Sequence, residues 1–246
     1  MVKLGLIQTT THKTNQDGIN AVGKILKKLG RMETDIVCLP EQWLKNNEIS
    51  NFDLEFTEFK KIAKEFEMTI ISGAFYDISK KTRSIVAPII GSNGEILGMQ
   101  EKIHPFDYEK KTVKPGKETK IFNAAGCKFG VIVCYDMVFP NVANTLAKKG
   151  AQTLFSPSRI VRRGIEPWQM YVQVRALENR IPILAVNVED KKFGGSSMIV
   201  DLAENNKVII PKITRLKGET GVQKKFQLEK YEKSRKIRFG DSNKFQ

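Results

Sequence analysis

Between Gly126 and Pro140 the chain reads GCKFGVIVCYDMVFP, and this stretch constrains the fold more than any other. Residues 129–133 form a β-branched, apolar run of the kind that makes a buried strand. The run ends on Cys134, and Tyr135-Asp136 then lead through Val138-Phe139-Pro140 into a helix-like segment over 141–149. A thiol where a buried strand gives way to a turn sits at the rim of a sheet, where α/β folds place their ligands. Such a thiol acts as a nucleophile when a base and an electropositive group meet it.

Two other stretches offer those groups. The short strand-like run 35–39 ends on Pro40-Glu41, and the run 96–100 is followed by Glu101-Lys102-Ile103-His104. A carboxylate, an ammonium and a thiol, each at or just past a strand end, form a chemical constellation. Taken one at a time, each has a plainer explanation. Free cysteine is among the most buried residue types, and single Glu and Lys side chains are ordinarily solvated. Cys38 lies within a strand and Cys127 beside a Gly turn, so both read as packing residues.

Along the chain, strands alternate with helices. Strands are predicted at 3–8, 35–39, 69–76, 84–90, 95–100, 129–133, 153–156, 183–187 and 197–200. Asn93-Gly94 marks a hairpin between the fourth and fifth of these. Helices are predicted at 19–29, with Ile19, Val22, Leu26 and Leu29 on one face, at 54–66, at 141–149, and from Pro167 to about Asn179. Mixed strands and helices without strict βαβ regularity suggest two packed sheets with helices outside. Neither a linker nor an internal repeat is visible, so one domain is expected.

Composition narrows the alternatives. At 246 residues and 41% hydrophobic, the chain can bury one substantial core. It contains no apolar run of the roughly 18–20 residues that a membrane span needs. Its three unclustered cysteines argue against a disulfide framework and fit a reducing compartment, so a cytoplasmic location is expected. The formal charge of +14 raises a second possibility, a basic non-catalytic or nucleic-acid-binding protein. Much of the excess lies late: from Lys207 onward 12 Lys/Arg face 4 Asp/Glu, a balance of +8. That region shows neither zinc-finger spacing nor an aromatic RNA-binding signature, so a solvated basic face is the simpler account. Two histidines and no cluster at ligand spacing give no case for a metal, and no glycine-rich phosphate loop implies a nucleotide cofactor.

The three blocks together resemble the carbon–nitrogen hydrolase (nitrilase) superfamily. Its first block, an apolar run ending in Pro-Glu, corresponds to LPE with Glu41. Its second, Lys-x-His leading to a glutamate and then Pro-Gly, corresponds to KIHPFDYEKKTVKPG with Lys102 and Glu109. Its third, a hydrophobic strand into Cys-Tyr-Asp, corresponds to GVIVCYDMVFP with Cys134. The likeness continues through AQTLFSPS, WQMYVQVRALENRIPILAVN and GGSSMIVD and so covers nearly the whole chain. It implies an α/β fold of four layers, an αββα sandwich of two mixed sheets, as one domain over 1–246. It also implies a homodimer or larger homo-oligomer, with a basic C-terminal extension from about residue 221 reaching across the interface, and no cofactor.

For the site, the resemblance implies Cys134 as nucleophile, Glu41 as base and then acid, and Lys102 as stabiliser of the oxyanion. Leu39, Pro40 and Trp43 supply Glu41 with an apolar setting. Lys102 is expected to favour the thiolate, Glu109 to hold Lys102, and the backbone N–H of Tyr135 to be the second oxyanion donor. His104 is expected to be structural, and His12 lies on a polar loop. The implied reaction is amide hydrolysis through a Cys thioester, with a true nitrilase as the nearest alternative. The chain departs from many amidases of the family at Val138 and Asn141, where Arg and Glu are usual, and at Pro105, where leucine is usual. Past the strand at 153–156, Ser158-Arg159 and then Arg162-Arg163 border the implied substrate pocket. An arginine there suits a substrate that carries its own carboxylate, such as the monoamide of a dicarboxylic acid.

Overall fold

The structure, a computed structural model, describes residues 1–242. Residues 243–246 of the predicted basic extension lie outside the described residues. Seven strands open the chain: β1 (Val2–Gln8), β2 (Ile36–Cys38), β3 (Glu48–Ile49), β4 (Thr69–Ile71), β5 (Phe75–Asp77), β6 (Ser84–Ile90) and β7 (Ile96–Glu101). Six more form a second sheet: β8 (Ile121–Ala124), β9 (Cys127–Val131), β10 (Thr153–Ser158), β11 (Ile183–Asn187), β12 (Met198–Asn205) and β13 (Val208–Arg215). The next strand, β14 (Thr220–Phe226), returns to the first sheet and pairs antiparallel with β1 at its edge. The strand orders are β14-β1-β2-β4-β6-β5-β3, with β7 on β6, and β13-β12-β11-β10-β9-β8.

The first sheet is apolar on both faces, and its residues sort by the two-residue period of a strand. Leu4, Leu6, Ile36, Cys38, Ile71, Ile85, Ala87 and Ile89 enter the core shared with the second sheet. Their neighbours Ile7, Val37, Ile70, Val86 and Ile90 enter a separate core beneath two helices. Those helices are α1 (Asn15–Arg31) and, after a short turn of helix α2 (Phe52–Glu55), α3 (Thr57–Glu65). Helix α1 starts where Thr14 accepts a hydrogen bond from the Asp17 N–H, and it buries Ile19, Val22, Leu26 and Leu29 as predicted. On the far side, α4 (Pro140–Lys148) and α5 (Ile165–Asn179) cover the second sheet, burying Val142, Leu146, Val172 and Ala176. The layers therefore run helix, sheet, sheet, helix.

Several elements differ from the sequence reading. The predicted helix 54–66 breaks at Phe56, and Leu54, at its start, is exposed. The predicted strand 69–76 splits into β4 and β5 around Gly73, which adopts φ +107°. A Cβ there would lie 2.2 Å from the Pro40 carbonyl oxygen, so glycine lets the loop carrying Glu41 cross close by. Strands β3, β8, β13 and β14 were not predicted. The last two lie at sheet edges, with side chains half-exposed and an apolar alternation too weak to read.

The segment from Gly221 also differs. Its scattered apolar residues, Phe226, Leu228, Tyr231, Ile237 and Phe239, have little to pack on within the segment itself and are expected at an interface with a second copy. Instead Phe226, Leu228 and Tyr231 are buried in the chain's own core. Helix α6 (Glu232–Ser242) follows, and Arg235 donates from it to the carbonyls of Ala151 and Arg180. Ile237 alone of the five remains exposed, while Phe239 packs partly against the core.

Candidate active site

Four strand ends from the two facing sheets converge on one cavity. Glu41 follows β2, Lys102 follows β7, Cys134 follows β9 and Arg159 follows β10. The Glu41 N–H donates to the Ser158 carbonyl at 3.2 Å, and the Gln42 N–H donates to Ala74 at 2.8 Å. Trp43 anchors the same loop from below, its indole N–H reaching the Ser72 carbonyl at 2.9 Å. Glu41 is therefore tied by its backbone to both sheets.

Lys102 extends the β6–β7 ladder by one hydrogen bond, from its N–H to the Ile85 carbonyl. Its side chain is only 1% exposed, and its Nζ lies 2.9 Å from Glu41 Oε1 and 2.8 Å from Glu109 Oε2. The same Glu109 oxygen accepts from the Phe106 N–H at 2.7 Å, which fixes the carboxylate on its short 3-10 turn, Asp107–Lys111. Burial opposes charging Lys102. Glu41, the Cys134 sulfur and Glu109 outweigh it and hold the ammonium well above the usual lysine range. Burial, with Glu41 close by, pushes the Glu109 carboxyl up despite Lys102.

Cys134 opens a 3-10 turn, Cys134–Val138, with φ +47°, the left-handed region that non-glycine residues rarely occupy. This bend turns the thiol out of the strand direction toward Glu41 and Lys102. The thiol lines the same cavity as Glu41, Lys102 and Arg159. Burial first, then Glu41, pushes the thiol well above its usual range, although Lys102 and the Arg159 N–H pull the other way. The expected pull of Lys102 is present but outweighed by burial and Glu41. Cys38 and Cys127 are pushed up by burial as well, Cys127 to about 12, with no cation among the causes.

Neighbouring groups hold the turn in place. Asp136 accepts from the N–H groups of Ile103 and His104 at 3.0 and 2.7 Å and from His104 Nδ1 at 2.8 Å. The His104 ring stacks on Phe139 with centroids 3.7 Å apart. His104 thus clamps the Lys102 loop to the Cys134 turn, a structural task. Arg175 of α5, 6% exposed, donates to the carbonyls of Met137 and Val138 and pairs with Glu178 at 3.1 Å. A guanidinium from the next helix thus secures the end of the turn.

The cavity has a volume of about 400 Å³, and Glu41, Lys102, Glu109, Cys134, Tyr135 and Arg159 all line it. Tyr135 meets Phe106 and Phe139 edge-on. Ser158 does not line the cavity; it supports Glu41 through its carbonyl and turns its hydroxyl to Ser156. Of the arginine loop, Arg162 donates to the carbonyls of Asp190 and Lys191, and Arg163 is exposed. Sequence reasoning missed Gln42, Trp168, Tyr171, Lys192 and Phe193 as lining residues. For Trp168 and Tyr171 a signal existed, since residues three apart share one helix face.

A profile described as carbon-nitrogen hydrolase matches residues 3–204. Omega-amidase NIT2-B of Xenopus laevis is 28% identical over 198 residues, 73% of this chain and 71% of that protein. The crystal structure of Saccharomyces cerevisiae Nit3, a nitrilase-superfamily member, superposes with TM-score 0.82 at 21% identity, covering 96% of this chain and 93% of the other. A carbon-nitrogen hydrolase from Helicobacter pylori G27 gives the same TM-score and identity over 96% and 92%. The four-layer sandwich is thus the nitrilase-type fold, and with the profile match spanning most of its length the chain belongs to the carbon–nitrogen hydrolase family, enzymes of non-peptide carbon–nitrogen bonds.

Proposed function

We propose that the chain hydrolyses the carboxamide of a small molecule through a thioester on Cys134. The observation that carries this reading is the buried Lys102 ammonium within 2.9 Å of two carboxylates, in one cavity with the Cys134 thiol. As the sulfur attacks the amide carbon, Glu41 takes the thiol proton. The oxyanion settles against the Lys102 ammonium and the Tyr135 N–H, while Glu109 keeps Lys102 in place. Collapse breaks the C–N bond, Glu41 returns its proton to the nitrogen, and ammonia or an amine leaves. Water then attacks the thioester as Glu41 takes its proton; collapse expels the thiolate, which Glu41 reprotonates. A screen of amides, nitriles and carbamoyl compounds that reads ammonia tests this, with amides expected to turn over and Cys134→Ala to be inactive. Ammonia from nitriles alone would replace the amidase with a nitrilase.

The working unit we infer is a cytoplasmic homodimer of single-domain chains. Three free cysteines suit a reducing compartment. Exposed Met170 and Val174 on α5 and Ile237 on α6 suit pairing of helical faces. Light scattering should give twice the 27.9 kDa chain mass, and a monomer at micromolar concentration would refute the pairing.

A further inference from the structure

Asp136 is a buried acid that takes no part in the reaction proposed above. It is 2% exposed and lies two residues past Cys134 on the same 3-10 turn, yet it does not line the cavity. Burial pushes its carboxyl up, against the pull of the donors from Ile103 and His104. Taking a carboxylate out of water is costly unless its oxygens are well paired. Among the described residues neither a lysine nor an arginine pairs with it, and its partners are two backbone N–H groups and the His104 ring.

Those donors are adjacent in the chain. The Ile103 N–H reaches Oδ2 at 3.0 Å, while Oδ1 takes the His104 N–H at 2.7 Å and His104 Nδ1 at 2.8 Å. Both oxygens are therefore used, and both grip the two residues that directly follow Lys102. Among the described residues, every hydrogen bond between 102–109 and 134–139 ends on this carboxylate. The tie also joins different sheets, since Lys102 follows β7 of the first and Tyr135 follows β9 of the second. No shared ladder holds the Lys102 ammonium and the Tyr135 N–H together.

We infer that Asp136 is the positioning residue of the oxyanion site, its carboxylate setting the spacing between the Lys102 ammonium and the Tyr135 N–H. This rests on the thioester reading above. A displacement of about 1 Å at a reacting centre costs about 10²-fold in rate, and loss of one oxyanion donor about 10²–10³-fold in kcat. A carboxylate suits the task where an amide does not. Asparagine offers one acceptor oxygen and would turn an NH2 group toward a backbone N–H.

Butyramide as substrate and butyraldehyde as inhibitor separate positioning from folding. The Cys134 sulfur bonds to the aldehyde carbon, the C=O π pair moves to oxygen, and Glu41 takes the thiol proton. The adduct thus sets an oxyanion between Lys102 and Tyr135 without turnover. In Asp136→Asn, kcat should fall about 10²-fold and butyraldehyde should bind about tenfold or more weakly, with KM for butyramide changed by less than about threefold. His104→Ala keeps both backbone donors and should show the same pattern with a smaller loss. His104→Asn should restore part of it, because its amide nitrogen stands on Cγ as Nδ1 does. Active chains are counted by mass labelling of Cys134, and kcat is expressed per labelled chain. An unchanged kcat per labelled chain, a rise in KM at constant kcat, or aldehyde affinity indifferent to Asp136 would overturn the assignment. So would failure of both Asp136→Asn and His104→Ala to fold, which would make the tie structural. Butyraldehyde binding that depends on Asp136 without ammonia from any amide would instead overturn the proposed reaction and leave the positioning role standing.

Discussion

The cavity and the joint that fastens the C-terminal segment both set carboxylates against lysine, and they resolve the charge in opposite directions. In the joint, Asp201 of β12 accepts from Lys224 of β14 at 2.8 Å, from Lys230 at 3.3 Å and from the Tyr231 hydroxyl. Burial alone would raise its carboxyl, but Lys224, Tyr231 and Lys230 overcome it and hold the group below the usual carboxylate range. In the cavity, burial and the second carboxylate win, and Glu109 is raised. The joint spends two lysines and a hydroxyl on one acid, whereas the cavity packs two acids against one lysine. The first arrangement stabilises the fold. The second holds like charges together for chemistry, at a cost to stability.

Removing the central cation should separate the two regions most sharply. Lys102→Met strands Glu41 and Glu109 together in a buried place, and should abolish turnover and lower stability by about 3–5 kcal/mol. Denaturant unfolding with a parallel ammonia assay would show both, and a variant as stable as the parent would refute the charge frustration assigned to the cavity. In the joint, Tyr231→Phe removes a hydrogen bond to a carboxylate and should cost about 1–3 kcal/mol, with kcat little changed. A loss of kcat larger than the loss of stability explains would erase the division between the regions.

The pH dependence should differ in sign. The depressed folded value of Asp201 gives stability that is present above the ordinary carboxylate range and lost as pH falls through that depressed value. Asp201→Asn should therefore flatten the acid limb of a melting-temperature profile. The raised folded value of Glu109 works the other way: its contribution is full below the ordinary range and is lost as pH rises through the raised value. Glu109→Gln should leave stability at neutral pH within about 1 kcal/mol or improve it, while kcat falls because Lys102 is no longer held on that side. A large drop in stability would show that Glu109 is structural. The smallest effects on activity are expected for Cys38→Ala and Cys127→Ala, whose sulfurs sit in packing positions away from Lys102.

What could be read in advance follows from how each feature is encoded. The runs ending at Cys38 and Val133 are continuous apolar stretches because both faces of their strands are buried, and such runs are legible without a structure, whereas the run before Lys102 leaves Leu97 exposed and is read from its apolar composition alone. Glu41, Lys102 and Cys134 stand just past the ends of these three runs, so the residues proposed to react are legible together with them. Strands β13 and β14 are half-exposed and held by pairing rather than by burial, so composition alone made them look like a polar tail. Lys192 and Phe193 were missed for a different reason. They reach the cavity through a loop from β11, which the Val161–Phe193 bridge and the bonds from Arg162 to Asp190 and Lys191 hold beside Arg159. The left-handed bend at Cys134 is equally silent in sequence, since cysteine is not a residue that advertises it.

The central claim, that Cys134 is the attacking group, is most directly tested by intact-mass and peptide analysis after exposure to a small amide-like electrophile. The account predicts one adduct per chain, on the peptide carrying Cys134, no labelling of Cys38 or Cys127, and no adduct in Cys134→Ala, which should still fold. An adduct that persists in Cys134→Ala, or ammonia release that survives that substitution, would contradict it.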